Sequence, residues 1–453
     1  MKKAVNKRPS RTHIPSPAIL LVLALFSSLG LSQRPAVNKP KLKDFGASLR
    51  QLQWDPKHNE AVDGGPQSAR SKRSSNDDVV TVETTLVVSD VLVMDARGQP
   101  IIGLAAKDFA VTEDGSPQTI GTFALGDDSS IPRSIVLIMD YSISQLPFIR
   151  TSIAAAETLV DKLGPFDRMA IVTDDVELLS DFTSEKKILK DRLESLLVRL
   201  TPTRDVSGRG VSRKFGQSSQ YSALMATLRE AFDAEDQRPI IIFQTDGDEA
   251  YYLRNPIIGP PNVSPDIREY EEHAVEWMAN ERRRKMRNFS LTDVYTTAER
   301  ARVTIYTVVP GFRLVGLSPE QQMQQIRLEW TQRSEAWTMD PSPKAREKIV
   351  RKAQDRWNKL SATTVKSQTD REVTTQSALA GVATITGGWT AFLEDPSRAE
   401  QIYSRIFSDI NGRYIVGYYP TNKELDGKRR KINVEVKGHP EYTLMYRHSY
   451  WRP

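Results

Sequence analysis

The sequence predicts a doubly wound α/β fold whose mostly parallel sheet is inserted between the two halves of a small β-sandwich. Three observations predict it. The continuous apolar runs SIVLIM (134–139), PIIIFQ (239–244) and VTIYTVV (303–309) read as strands buried on both faces, as in parallel sheets. Segments with apolar residues at helical spacing fall between them, and strand–helix alternation places helices on both sides of the sheet. Before and after this region the pattern becomes short strands and turns. Each flank alone would leave an apolar face and open edges in water, so the two are expected to join.

The first 32 residues stand apart. Lys2, Lys3, Lys7, Arg8 and Arg11 precede the apolar run AILLVLALFSSLGL at 18–31, and no acid occurs among them. Gly30 and Ser32 are small residues suited to cleavage before Gln33, so 1–32 reads as a signal peptide. The run is shorter than the roughly 20 residues needed to span a bilayer, and no later segment is apolar enough to do so. The mature chain is therefore expected outside the cytoplasm, periplasmic or released, with no stable membrane span. Residues 33–78, rich in Pro, Lys, Ser, Asn and Gly, read as a disordered linker.

The N-terminal part of the sandwich occupies 79–130. It has a β-branched strand at 79–95, a turn at 97–100, and short strands at 108–112 and 118–125. The α/β domain spans 131–412. After SIVLIM come a helix within 145–163, a strand at 168–173, an antiparallel one near 176–179, and helices near 184–200 and 219–233. PIIIFQ and VTIYTVV follow, then a helix at 377–386, a strand at 389–393 and a helix at 396–411. Three strands within 413–453 form the C-terminal part of the sandwich.

Two insertions exceed a minimal domain. Residues 247–300 carry a helix at 265–287 with acids first and bases last, the order that complements a helix dipole. Its Arg282-Arg283-Arg284-Lys285 run reads as a solvated face. Residues 312–373 read as a helical hairpin opened by the capping box Ser318-Pro319-Glu320-Gln321. Met323, Ile326, Trp330 and Trp337 share one face of the first arm; Ile349, Ala353, Trp357 and Leu360 share one face of the second. These Trp residues are expected to pack the arms together. Both insertions leave the carboxyl ends of strands and are expected to crown that edge as recognition surface or lid.

Composition excludes several classes. The net charge of +6 is almost all due to the five N-terminal cations, which removes the electrostatic case for nucleic-acid binding. The chain has no cysteine, hence no disulfide, thiolate metal site or thiol nucleophile. Gly-x-Ser-x-Gly is absent, Gly208-Arg209-Gly210 lacks the rest of a phosphate loop, and the five histidines show no placement beside a serine. No complete catalytic set emerges, so the chain is not expected to be an enzyme.

The chemistry-bearing residues cluster at strand ends. Asp140-Tyr141-Ser142-Ile143-Ser144 follows SIVLIM directly, where open α/β sheets place their ligands. Its three oxygen side chains, two residues apart, suit a hard cation: Mg²⁺ first, Mn²⁺ or Ca²⁺ otherwise. Asp246, in Thr245-Asp246-Gly247-Asp248 after PIIIFQ, adds a second carboxylate, and Gly216-Gln217-Ser218-Ser219 offers another hydroxyl. The structural alternative is that Asp140, Ser142 and Asp246 only cap helices and satisfy turns.

At these residues the chain resembles the von Willebrand factor A (vWA) family, a Rossmann-like fold with a metal-ion-dependent adhesion site. That site is D-x-S-x-S after the first strand, a Thr in a later loop, and an Asp after the fourth strand. The resemblance implies that Asp140, Ser142 and Ser144 hold the metal and that Asp246 reaches it directly or through water. Ser218 takes the Thr position, since GQSSQYSAL resembles the family's Gly-Gly-Thr-Ala-Leu-Tyr-Asp-Ala-Leu run. Two departures are Ser218 itself and Ile143, where many members have Gly. The flanks SDVLVMDARGQPIIGLAAKDFAVTEDG and GRYIVGYYPTNKELDGKRRKINVEVKG resemble those of the vWA-related proteins abundant in Acidobacteria, so the resemblance covers about residues 80–450. It implies a binding protein whose metal keeps one position open for an Asp or Glu carboxylate of a protein partner. Tyr141, Tyr251 and Tyr252 are candidate partner-binding anchors near the rim.

Three other readings remain open. One is a scaffold with a degenerate, metal-free site that binds through its helical insertions. The other two are enzymes, a hydrolase or a phosphoryl-transfer enzyme with Asp140 as nucleophile. The last expects a second Asp two residues on, where Ser142 stands.

Overall fold

The computed structural model describes residues 42–64, 86–128, 131–200, 203–204, 211–212, 215–233, 238–255, 282–336, 342–360 and 362–452. The expected signal peptide, most of the expected helix at 265–287, the strand start at 79–85 and Trp337 lie outside the described residues. No described helix is long and apolar enough to cross a membrane.

Residues 42–64 correct the linker expected at 33–78. They form helix α1 (Ala47–Gln51) and the antiparallel hairpin of β1 (Leu52–Asp55) and β2 (Glu60–Asp63). Leu42 and Leu52 are buried in the α/β core, with Phe45 and Leu49 packed against it. The Glu230 carboxylate accepts the amides of Gly46 at 2.7 Å and Ser48 at 2.8 Å. Apolar burial and these bonds offset the entropy that a polar-rich segment would otherwise keep.

The first flank holds β3 (Val87–Met94), β4 (Phe109–Glu113), β5 (Ser116–Gln118) and β6 (Ile120–Leu125). The α/β region opens with β7 (Arg133–Met139), α2 (Ile149–Asp161), β8 (Arg168–Thr173), β9 (Leu178–Thr183) and α3 (Lys186–Leu200). The small ladder of β10 (Thr203–Arg204) and β11 (Val211–Ser212) precedes α4 (Gln220–Glu230), β12 (Arg238–Gln244), α5 (Leu291–Arg300) and β13 (Thr304–Pro310). Then come α6 (Pro319–Ala336), α7 (Pro343–Asn358), α8 (Ala362–Ile385), β14 (Thr390–Leu393) and α9 (Ala399–Asn411). The second flank holds β15 (Tyr414–Tyr418), β16 (Arg429–Val436), β17 (Thr443–Met445) and β18 (Ser449–Trp451).

The central sheet has six strands in the order β14-β13-β12-β7-β8-β9, parallel except for β9 at its edge. Strand alternation divides its side chains. Ile135, Leu137 and Met139 face α2, α3 and α9 in one core, whereas Val136 and Ile138 face α4, α5 and α8 in another. Continuous apolar strands are what a sheet covered on both faces requires.

Each flanking sheet takes strands from both ends of the chain. One has the order β17-β3-β15-β6 and the other β18-β16-β4-β5. Val91, Phe109, Tyr414 and Val434, drawn from both sheets, share one core. In β16 the inward residues Ile432, Val434 and Val436 alternate with exposed ones, the period of a half-buried strand.

The segment after β13 differs from a simple hairpin. Ser318 and Gln321 exchange reciprocal bonds of 2.9 and 3.3 Å at the start of α6, the capping box expected there. Trp330 and Trp357 meet with ring centroids 6.0 Å apart, over Ile326 and Val365, while Met323 is exposed. The third helix, α8, begins at Ala362, not at 377, and runs unbroken into the sheet-covering half. Its first turns, ATTVKSQTDREVTTQ, bury Val365 and Thr369 without an apolar period to announce them.

Two carboxylates tie elements together with pH-dependent strength. Burial alone would raise Asp167, but Arg133 and the Gly164 amide outweigh it and hold the carboxyl below its ordinary range. Glu299 is likewise raised by burial but held lower by Ser449, Arg429 and Trp451. A depressed folded pKa contributes stability that is complete above the unfolded value of about 4 and is lost as the pH falls through the folded value. Urea midpoints are expected to drop below about pH 4, and Asp167→Asn should flatten that decline. An acid limb identical in the variant would show that Asp167 carries none of it.

Candidate functional site

Three neighbouring strands deliver carboxylates to one edge of the sheet. Asp174 follows β8, Asp140 follows β7, and Thr245-Asp246 follow β12, all at carboxyl ends. The Asp140 amide still pairs with the Gln244 carbonyl at 3.0 Å, and the Asp174 amide with that of Met139 at 3.2 Å, so ladder bonding fixes both positions.

Asp140 is 1% exposed. Its Oδ1 accepts the Ser142 amide at 2.9 Å, and its Oδ2 accepts Thr245 Oγ1 at 2.9 Å and Gln220 Nε2 at 3.0 Å. Ser142 Oγ lies 3.0 Å from Ser144 Oγ, which donates to Asp246. Asp246 also accepts Gln145 Nε2 at 2.7 Å and the Asp248 amide at 3.2 Å. The expected residues Asp140, Ser142, Ser144 and Asp246 are thus linked in one network.

Ser218 enters by its backbone. Its amide donates to Asp174 Oδ2 at 2.9 Å, and its φ of 56° is left-handed, a conformation a serine adopts only where its surroundings hold it. The same Asp174 accepts the Tyr141 amide at 3.1 Å. Asp174 was not singled out by the sequence reading, although Thr173-Asp174-Asp175 after an apolar strand repeats the arrangement of Thr245-Asp246 after PIIIFQ. Gln220, Thr245 and Gln145 were missed as well, because amides and hydroxyls at helix starts read as capping.

Ile143 sits in a 3₁₀ turn, Ile143–Gln145, is 40% exposed and has no positive φ. The backbone there does not require glycine, so a β-branched residue fits. Tyr141 is corrected as a partner anchor: it is fully buried and its hydroxyl donates to Asp175. Tyr251 and Tyr252 do follow the Asp246 loop, in the 3₁₀ turn Asp248–Tyr252, but each ring lies under a cation. The Arg371 guanidinium stands 4.1 Å from the Tyr251 centroid and Lys285 5.6 Å from that of Tyr252. A polar cavity of about 220 Å³ lies between Asp248, Tyr251 and the first turns of α8. A Cβ on Gly247 (φ 78°) would approach Thr375 to 3.0 Å, so α8 packs directly on this loop.

The electrostatics are one-sided. Burial, then the charge of Asp246, pushes the Asp140 carboxyl up to about 7. Burial, then Asp140, raises Asp174 well above the carboxylate range. Among the described residues, no ion pair reaches Asp140, Asp174 or Asp246. Burying carboxylates together without a positive charge is costly and favours either protonation or a cation. By themselves the acids do not form a cage, since no group of three His, Cys, Asp or Glu among the described residues is placed to hold a metal. The donor set therefore depends on the serine hydroxyls. Ser142 Oγ and Ser144 Oγ are hydrogen-bonded to each other at 3.0 Å, so the two hydroxyls already sit side by side.

Close approach of the 216 loop is needed to assemble this edge. The Gly216 amide bonds the Tyr141 carbonyl at 3.2 Å, and a Cβ at Gly216 would lie 2.1 Å from Asp174 Oδ1. Gly216→Ala must displace the carboxylate that holds the Tyr141 and Ser218 amides. It is expected to cost about 1–3 kcal/mol in urea unfolding. A variant as stable as the parent would mean that the loop yields freely.

No family model and no curated protein sequence matches the chain. Similar solved structures include BatB from Bacteroides thetaiotaomicron, at 16% identity over 61% of this chain and 98% of that one, with a TM-score of 0.29. The vWF domain of the type V pili tip protein Mfa5 from Porphyromonas gingivalis is similar at 13% identity, over 62% and 95% of the two chains, with a TM-score of 0.29. An aerotolerance-related membrane protein from Bacteroides fragilis gives 12% identity, 62% and 98% coverage and a TM-score of 0.27. At those scores none of them bears on what this chain binds.

Proposed function

We propose that this chain is an exported vWA-type binding protein that captures a carboxylate-bearing protein partner with the help of a divalent cation. One observation carries the reading: the Ser142–Ser144–Asp246 arc of hard oxygens lies beside buried Asp140, and among the described residues no cationic side chain pairs with these acids. Ser142, Ser144 and Asp246 would hold the cation, with Ser218 in the position the family gives to Thr and Asp140 fixing the arc from below. Bound there, Mg²⁺, Mn²⁺ or Ca²⁺ would supply an incompletely compensated charge that attracts an Asp or Glu side chain. The first turns of α8 and the Asp248–Tyr252 turn would form the surface that selects the partner.

The role proposed is binding, not catalysis. Among the described residues, His58 and His439 are paired with Asp55 and Glu441, and His448 packs on Tyr446, all away from the site's hydrogen-bond network.

A second reading has its own support, because Asp140 and Asp246 each already accept three protein hydrogen bonds. On that reading the network is a cation-free brace and the chain is a scaffold. Calorimetric titration of the purified protein with Mg²⁺, Mn²⁺ and Ca²⁺ decides between them. Saturable binding near one equivalent supports the cation-dependent role; no heat with any of the three ions leaves the scaffold.

A further inference from the structure

Helix α7 carries a charge pattern that neither the fold nor the candidate site uses. Lys344, Lys348, Arg351, Lys352 and, just past its end, Lys359 are all exposed. Their spacing of four, three, one and seven residues places them on one face. The opposite face buries Ala353 and Trp357 against α6 and α8, so the cationic face points outward. Asp355 lies within that row and Glu347 at its margin, against five cations.

These cations differ from the other surface charges of the molecule. Lys187, Lys190 and Lys366 each pair with a carboxylate at 2.6–2.7 Å, and Arg199 pairs with Glu177 at 2.7 Å. No such pair among the described residues involves Lys344, Lys348, Arg351 or Lys352. An ordinary solvated helix face intersperses both signs. A straight row in which five cations surround a single acid is instead suited to an extended surface of negative charge.

We propose that this face docks on an anionic phospholipid surface. A membrane of acidic headgroups presents a continuous charged plane, so a straight helix can use every cation without matching a spacing. Single-stranded nucleic acid is a poorer fit, because its capture needs aromatic side chains set among the cations, and the aromatic residue of this helix, Trp357, is buried. The contact is peripheral: the row lacks exposed apolar side chains to enter the bilayer, and binding comes from charge alone.

The test is co-sedimentation of the full chain with vesicles of phosphatidylglycerol and of phosphatidylcholine. Phosphatidylcholine vesicles report insertion by the apolar 18–31 segment, and Lys2, Lys3, Lys7, Arg8 and Arg11, unchanged in every variant, set a common anionic-lipid baseline above which the losses are read. Each cation near an anionic surface multiplies partitioning by about fivefold. The parent is expected to pellet with phosphatidylglycerol at low salt and to be released at about 0.5 M salt. The variant carrying Lys348→Glu, Arg351→Glu and Lys352→Glu is expected to lose binding by more than about 100-fold. The same positions changed to Gln keep the helix without repulsion and should give an intermediate loss. Equal pelleting of parent and both variants, equal pelleting with both lipids, or none at low salt overturns the proposal. So does binding of a DNA duplex, sensitive to the same substitutions, without binding of vesicles.

Discussion

Titrated with Mg²⁺, the Asp140→Ala protein is expected to bind about 10- to 100-fold more weakly than the unmodified chain. The magnitude follows from what Asp140 organises. Its carboxylate fixes the Ser142 amide, the Thr245 hydroxyl and the Gln220 amide, which come from three different segments. Removing it releases the turn that aligns Ser142 with Ser144 and deletes a negative charge beside the proposed cation. Asp140→Asn separates the two effects, since it keeps the shape and removes the charge. Cation binding should weaken there too, and stability without cation should fall less than in Asp140→Ala, because the relief of charge against Asp246 is offset by an NH2 group that must face one of the donors Asp140 accepts. If Asp140→Ala bound Mg²⁺ as tightly as the parent, the ion would sit elsewhere and the cation-dependent role would fail. If neither bound, the hydrogen-bonded brace would be the correct account of these residues.

The site residues were legible where side-chain chemistry coincided with a strong local pattern. Asp140, Ser142 and Ser144 follow a strand whose apolar continuity admits one interpretation, and Asp246 follows another. Asp174 does the same work from the next strand, yet Thr173-Asp174-Asp175 reads equally as a turn leading to an edge strand. Its role depends on the 216 loop, which arrives from more than forty residues away. Segment 42–64 shows a different limit. Leu42, Phe45, Leu49 and Leu52 do recur at steps of three and four, a helical signal diluted by Pro, Lys and Gly around it. What holds the segment is Glu230, which sequence order cannot reveal. Helix α8 was half visible for a related reason: its Thr- and Ser-rich start buries hydroxyls and short side chains, whose burial leaves little hydrophobic period. Tyr141 was legible as part of the motif but not as a core residue, since an aromatic at a motif position reads as surface until the next strand covers it.

Arg413 is where the two regions of the fold meet, and its loss should be the most damaging single change outside the site. It is 1% exposed and has no carboxylate within ion-pair distance among the described residues. Its guanidinium spreads over four acceptors instead. Nε donates to Tyr306 Oη at 2.8 Å, Nη2 to the Gly387 carbonyl at 2.6 Å, and Nη1 to the carbonyls of Asp90 at 2.9 Å and Met445 at 3.4 Å. Tyr306 and Gly387 belong to the α/β region; Asp90 and Met445 belong to the flanking sheets. Arg238 repeats the theme, reaching the Gly126 and Ile410 carbonyls at 2.7 and 3.0 Å and the Asp90 carboxylate at 3.2 Å. Carbonyls at a seam between sheets cannot pair with each other, and a five-donor cation satisfies them without needing either sheet to deform. Arg413→Ala strips several buried acceptors of partners at about 1–3 kcal/mol each and leaves a void, so a loss of about 3–5 kcal/mol is expected in urea unfolding. Arg413→Lys keeps the charge but cannot reach all four acceptors and should fall between. Loosening the seam should also split a single cooperative transition into two, with the flanking sheets melting first. A loss below about 1 kcal/mol in Arg413→Ala, with the transition still single, would mean that apolar packing alone joins the two regions.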